Sequence, residues 1–269
     1  MKIVRTVAGM RAELAEPRSG GARIGLVPTM GALHAGHLSL VRAARAQCDV
    51  VVVSLFVNPA QFNAAADLQR YPRDEAADAE AAEAEGVDLL FAPGAYELYP
   101  AGFDTWVEPG ELGRILEGAM RPGHFRGVAT ICTKLLTIVA PHVAFFGRKD
   151  AQQVAVLQRL VTDLNLPVEI VALPTVRDHD GLALSSRNVF LSAEQRASAL
   201  ALPRALEAGL AAHGAGGDPV AAARGVLDAE TGVTVEYVDV ADLDGPTLAA
   251  AIRVGETRLI DNVALGRAR

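Results

Sequence analysis

The chain has 269 residues, 51% hydrophobic and 21% charged, a composition that supports a packed core and excludes disorder as a description of most of it. Its net charge of −7 excludes a broad basic footprint for nucleic acid. At roughly 100 to 200 residues per domain the length suggests two unequal domains.

The start, Met1-Lys2-Ile3-Val4-Arg5, has no apolar leader core. No stretch reaches the uninterrupted run of about 18 apolar residues that a membrane span requires, so a cytoplasmic protein with no membrane partner is expected. Cys48 and Cys132 are too few and too far apart for a disulfide framework or a thiolate metal site, and read as buried apolar fillers.

Ile24 to Thr29 reads as a short buried strand, and His37 to Gln47 places Leu38, Leu40, Val41 and Ala44 at helical spacing. Val50 to Val57 is a continuous β-branched and apolar run, the pattern of a parallel strand covered on both faces. Asp74 to Glu85 reads as an exposed helix whose acidic residues form a solvated face, and it leads to a strand at Asp88 to Ala92. Then come a helix at Gly127 to Val139, a strand at His142 to Phe146, a helix at Asp150 to Leu164 and a strand at Val168 to Val171. This alternation predicts an α/β fold with a doubly wound, Rossmann-like parallel sheet, which binds ligands at the carboxyl ends of its strands.

After Pro174 the texture changes. Ala193 to His213 reads as one long helix, Gly214 to Pro219 as a break, Ala221 to Glu230 as a helix, and Val233 to Val240 and Arg258 to Leu265 as strands of a small sheet. A boundary near Thr175 would divide the chain into a Rossmann-like domain, 1–175, and a smaller α+β domain, 176–269.

The loop after the first strand carries Met30-Gly31-Ala32-Leu33-His34-Ala35-Gly36-His37 and opens a helix. Free backbone N–H groups and the helix dipole favour an anion there, and His34 and His37, three apart, add donors on one side of the first turn. Gly31 and Gly36 allow close approach of the backbone to a phosphate chain. No Glu base lies between the histidines and no third ligand is evident for zinc, and the G-x-G-x-x-G dinucleotide fingerprint is absent.

The His-x-Gly-His turn resembles that of the nucleotidyltransferase superfamily. In order along the chain follow Phe56-Val57-Asn58-Pro59-Ala60-Gln61-Phe62, Tyr71-Pro72-Arg73, Arg121-Pro122-Gly123-His124-Phe125-Arg126-Gly127-Val128, Phe146-Gly147-Arg148-Lys149-Asp150 and Leu184-Ser185-Ser186-Arg187-Asn188. Together these motifs resemble the pantothenate synthetase family, over about residues 1 to 200 and more weakly beyond. The resemblance implies a homodimeric ligase that joins pantoate to β-alanine with ATP and Mg²⁺, through a pantoyl-adenylate, releasing AMP and pyrophosphate.

By that resemblance His37 leads catalysis, with His34 and Lys149 beside it. Met30, Gly31, His34, His37, Gly147, Arg148, Lys149, Asp150, Val176, Leu184, Ser185, Ser186 and Arg187 are the expected ATP contacts, with the second domain closing over the triphosphate. The family carries Met where this chain has Leu184, a swap that conserves volume. Gln61 and Gln153 are expected to bind pantoate, with Gln61 also near β-alanine, because neutral amides hold a carboxylate without blunting it as a nucleophile. Gln152, turned about 100° away on the helix, is assigned to the outer surface. Arg121 and His124 are left between holding a substrate-side loop and pinning the chain. Magnesium is expected mainly on phosphate oxygens, with no protein ligand.

Two rival readings are a nucleotidyltransferase acting on a phosphate acceptor, which would need a cationic pocket in place of Gln61 and Gln153, and a nucleotide-binding regulatory module without turnover. A tRNA-charging fragment is disfavoured by the acidity.

Overall fold

A computed structural model describes residues 1–63 and 65–266. The chain divides into two compact units, one comprising Met1–Gly147 and Val156–Leu173, the other Arg148–Ala155 and Pro174–Arg269.

The elements from Met1 to Leu173 are β1 (Lys2–Val4), α1 (Val7–Ser19), β2 (Ile24–Thr29), α2 (Ala35–Gln47), β3 (Val50–Leu55), α3 (Ala65–Arg70), α4 (Glu75–Ala84), β4 (Leu89–Phe91), α5 (Ala95–Leu98), α6 (Glu117–Met120), α7 (His124–Val139), β5 (Val143–Gly147), α8 (Ala151–Asp163), whose first turn belongs to the second unit, and β6 (Glu169–Leu173). Among the described residues, six parallel strands form a sheet in the order β1-β4-β3-β2-β5-β6. The chain steps outward from β2 to β3 and returns to its other side with β5. The carboxyl ends of β2 and β5 therefore flank the topological switch point, where a doubly wound sheet opens a crevice.

The β-branched run of β3 explains its central place. Val51, Val52 and Val53 are all fully buried, and the core around them includes Val27, Leu40, Val41, Leu90 and Phe145. Burial on both faces removes the alternation that a half-exposed strand would show. β1 escapes a pattern reading because three residues are too short to display a period; it is fixed by its pairing, Lys2 with Leu89 through Val4 with Phe91.

The second unit holds α9 (Ala193–Ala199), α10 (Ala201–Gly214), α11 (Pro219–Asp228), β7 (Val233–Asp242), β8 (Pro246–Val254) and β9 (Thr257–Ala264). Among the described residues these strands make an antiparallel sheet in the order β7-β8-β9. Leu202, Ala205 and Leu206 of α10, Ala223 and Leu227 of α11, and Leu248, Ala250 and Ile252 of β8 form its core.

Two expectations for this unit need correction. The long helix over 193–213 is two helices meeting at Leu200, since Pro203 lacks the N–H that would bond the carbonyl four residues back and is tolerated only in a first turn. The central strand β8 was not foreseen. Its Ala249-Ala250-Ala251 run has weak strand propensity, and it extends because both neighbours pair its backbone and its side chains are buried. Among the described residues no helix is long and apolar enough to cross a membrane.

Candidate active site

β2 ends at Thr29, whose hydroxyl donates to the Ser54 carbonyl of β3 at 2.7 Å and so ties the starts of two loops together. The chain then turns through Gly31 and Ala32, both with left-handed backbone at φ 89° and 51°. It enters α2 with His34 as N-cap. The helix begins two residues earlier than its apolar spacing indicates, because the imidazoles take the place of the usual short capping side chains. His34 Nδ1 accepts the Gly36 amide at 3.2 Å, and His37 Nδ1 accepts the His34 amide at 3.4 Å. This is a capping box built from two histidines. Accepting at Nδ1 requires each neutral ring to carry its hydrogen on Nε2. The rings lie 4.1 Å apart, inclined by 37°.

The place of the missing Gly31 side chain faces inward. A Cβ there would lie 2.8 Å from Leu55 Cδ1 and 2.9 Å from Asp78 Oδ2. Gly31 is thus needed for packing of the turn against α4. The reading of the α4 acidic residues as a solvated face fails at Asp78, which is 4% exposed. Its carboxylate accepts the Ala32 amide at 3.0 Å and the Leu33 amide at 2.6 Å. Its one sequence signal is the i, i+4 spacing with buried Ala82.

The loop after β3 places Gln61 beside this turn. The Gln61 Oε1 accepts from Asn58 Nδ2 at 3.1 Å, and Gln61 Nε2 donates to Met30 Sδ at 2.8 Å. Asn58, 1% exposed, also donates to the Gly127 carbonyl and accepts from the Tyr99 hydroxyl at 2.9 Å. Burial pushes the Tyr99 hydroxyl above the ordinary tyrosine value, which keeps it a donor. The Gln61 carbonyl is gripped from the other side by Arg121 Nη2 at 3.1 Å and His124 Nδ1 at 2.9 Å. Arg121 and His124 thereby tie the turn before α7 to the main chain of the Gln61 loop. Arg121 is also 3.7 Å from the buried Glu117 carboxylate. Sequence reasoning missed Asn58, Tyr99 and Asp78 as parts of the site, because each acts through contacts distant along the chain.

The first unit thus brings together Met30, Gly31, His34, His37 and Gln61, and Gly147 ends β5 at the switch point. The remaining candidates lie in the second unit. Arg148, Lys149 and Asp150 form a 3₁₀ turn before α8. Asn262 of β9, which sequence reasoning also missed, donates to both the Arg148 and Lys149 carbonyls at 2.9 Å. Arg148 pairs with Asp244 at 3.1 Å, and Lys149 lies 3.7 Å from Asp150. Gln153 is half-buried in the first turn of α8. The assignment of Gln152 to the outer surface is overturned, for it is 5% exposed. Ala151, Val154 and Ala155 are buried as well, so this turn is covered on most sides and rotation by 100° does not reach solvent.

Val176 and Leu184 are brought side by side. The Leu184 amide donates to the Val176 carbonyl at 3.0 Å, and the Asp178 amide to the Leu182 carbonyl at 2.8 Å, closing a hairpin. Ser185 caps the 3₁₀ turn Ser186–Phe190, its hydroxyl accepting from the Arg187 amide at 3.3 Å. Asn188 Nδ2 donates to the Ala183 carbonyl, while Asn188 Oδ1 is a buried acceptor without a partner among the described residues. Below the hairpin Arg196 bonds Asp178 and Asp180. The Asp178 carboxyl is held at about 2 by hydrogen bonds from His179 and Arg196. No group of three or more His, Cys, Asp or Glu that suits a metal ion occurs among the described residues.

Comparison with known proteins gives a consistent result. The family model described as pantoate-beta-alanine ligase matches residues 2–264. Pantothenate synthetases from Roseiflexus sp. (strain RS-1) and Moorella thermoacetica are 52% and 50% identical, each match covering 98% of this chain and 99% of the relative. A crystal structure of pantothenate synthetase from Thermus thermophilus superposes with a TM-score of 0.93 at 46% identity, covering 98% of this chain and 99% of that one. Pantoate-beta-alanine ligase from Francisella tularensis, complexed with beta-gamma ATP and beta-alanine, gives 0.84 at 34% identity, covering 100% and 99%. A family match over nearly the whole chain, half-identical full-length relatives and the same fold in both units agree: this chain is an enzyme of the pantoate–β-alanine ligase family.

Proposed function

We propose that this enzyme condenses pantoate with β-alanine to form pantothenate, by way of a pantoyl-adenylate. The observation that carries the reading is the pair of imidazoles capping α2 beside Gln61, outside the carboxyl end of β2. In the first step a pantoate carboxylate oxygen attacks the α-phosphorus of ATP. The bond from that phosphorus to the bridging oxygen breaks, and pyrophosphate leaves with the electron pair. Charge grows on the phosphoryl oxygens, where the Nε2–H groups of His34 and His37 and the amides opening α2 are suited to meet it. His37 is assigned as the leading catalytic residue, with His34 and Lys149 assisting.

The orientation of Gln61 supports its role with pantoate. Its oxygen is held by Asn58, which directs its –NH₂ toward the Met30 thioether, a weak acceptor that a substrate hydroxyl or carboxylate would outcompete. We assign pantoate also to Gln153, β-alanine to Gln61, and ATP to Met30, Gly31, Gly147, Arg148, Lys149, Asp150, Val176, Leu184, Ser185, Ser186 and Arg187. In the second step the neutral β-alanine amine attacks the acyl carbon, the bond to the adenylate oxygen breaks, AMP leaves, and the amine proton passes to solvent. Orientation and desolvation supply this step without a dedicated base.

Mg²⁺ enters on the ATP phosphates; the described side chains do not fit a cage for a resident ion, and no step is assigned to one. The family resemblance also supports a homodimer working in the cytoplasm, which light scattering of the purified protein and cell fractionation would test. The mechanism is tested by ATP–pyrophosphate isotope exchange. Exchange that needs pantoate and proceeds without β-alanine is expected; exchange without pantoate, or none with it, overturns the adenylate.

A further inference from the structure

We propose that Asp78 is a positioning residue for the histidine pair, acting through the backbone of the turn that precedes it. The inference rests on the adenylate reading above. Residues 31 to 33 are an unfavourable piece of chain: Gly31 and then Ala32 adopt left-handed backbone, and Ala32 has a side chain that disfavours it. Such a conformation persists only where its surroundings impose it. What imposes it is a carboxylate 46 residues away in sequence, with Oδ2 taking the Ala32 amide and Oδ1 the Leu33 amide. Both oxygens are occupied by charge-assisted bonds, which is how a carboxylate is held in a buried place. Gly31 leaves room for it, since any Cβ there would press on Oδ2.

The consequence is a division of labour among the amides. Those of Ala32 and Leu33 point to Asp78, so these two amides are not open to a phosphate as the amides of a glycine-rich loop are. That role falls to the amides that open α2 and to the two Nε2–H groups. The next residue is His34, whose ring orientation depends on the cap it forms with Gly36. A turn freed from Asp78 shifts the start of α2, and both imidazoles shift with it. A displacement of about 1 Å at a catalytic group is worth about a hundredfold in rate.

The test is Asp78→Asn, which keeps the shape but sets an –NH₂ against one of the two amides, with Asp78→Ala as the larger change. The expected result for Asp78→Asn is a fall of about 10- to 100-fold in kcat of pantoate-dependent ATP–pyrophosphate exchange, with KM for pantoate within about twofold. Folding is to be intact by circular dichroism, and hydrogen exchange at the Ala32 and Leu33 amides is to accelerate while the amides of β2 stay protected. A kcat unchanged in folded Asp78→Asn, or a loss no larger than its unfolded fraction, overturns the proposal. Should both variants fail to fold, wild-type exchange decides: unprotected Ala32 and Leu33 amides overturn the clamp, and protection matching that of β2 upholds it. Failure of the adenylate reading is separate, because it would appear as absent pantoate-dependent exchange in the wild-type enzyme.

Discussion

His34 and His37 cap one another's turn, each through Nδ1: the His34 ring takes the Gly36 amide and the His37 ring takes the amide of His34 itself. Nδ1 of each ring thereby serves the structure, and Nε2 is the nitrogen to which the proposed chemistry is assigned. His37→Gln separates them, since Gln at the third helical position can still bond the cap residue's amide but offers no imidazole donor in the same place. We expect its melting temperature to fall by less than that of His37→Ala. Its kcat for adenylation should fall about 100- to 1,000-fold, as on removal of one donor from a site of developing charge. Isothermal titration of ATP should show little change. A Gln variant as active as wild type would remove His37 from catalysis.

Gly127, near the start of α7, lies against the main chain of the Gln61 loop. A Cβ there would sit 2.2 Å from the Ala60 carbonyl oxygen and 2.8 Å from the Gln61 amide nitrogen, both backbone atoms that cannot rotate away. Gly127→Ala should therefore cost about 1 to 3 kcal/mol in urea denaturation, the range for overpacking. It should also raise KM for pantoate more than KM for ATP. Equal changes in both would argue against Gln61 as a pantoate contact.

Burial pushes the Cys132 thiol up to about 12, against an ordinary value of 9.0, and raises the Tyr99 hydroxyl too. A group whose value is higher when folded contributes stability that is complete below its unfolded value and lost as pH rises toward its folded one. The enzyme should thus lose stability from about pH 9 toward pH 12, and Cys132→Ala should flatten that loss relative to its own stability at pH 7. Thermal melts across the range would show it. At pH 8 the folded protein should not react with a thiol reagent at Cys132, and rapid labelling there would contradict the burial.

Asn262 holds the carbonyls of Arg148 and Lys149 with one side-chain amide. Asn262→Ala releases both, and KM for ATP is expected to rise about tenfold if Lys149 and its neighbours contact the nucleotide. An unchanged KM for ATP would place this turn outside the nucleotide site.

The strand, loop and helix around His34 are legible in the sequence because their signals are local. A short apolar strand, a glycine pair and apolar spacing of 3.6 each act over a few neighbouring residues. The order of the motifs at Asn58, Arg121, Gly147 and Leu184 likewise made the family recognisable. β8 was illegible for the converse reason. Its alanines carry little preference, and it becomes a strand only through pairing with β7 and β9.

The sequence by itself determined that a turn bearing glycines and two histidines follows the first long strand, that an amide-bearing loop follows the next, and that an α/β sheet would gather the loops at its carboxyl edge. Only the tertiary structure decided how those groups are held. Asp78 reads as one more acid on a charged helix until the Met30–Leu33 turn folds over it, and Gln152 reads as surface until its helix is covered. Tyr99 and Asn262 give no local sign of orienting anything. The physical reason is that turn and helix preferences are set by neighbouring residues. The burial of a polar group, and the partner that makes it tolerable, depend on chain segments tens of residues apart that meet only when the core has formed.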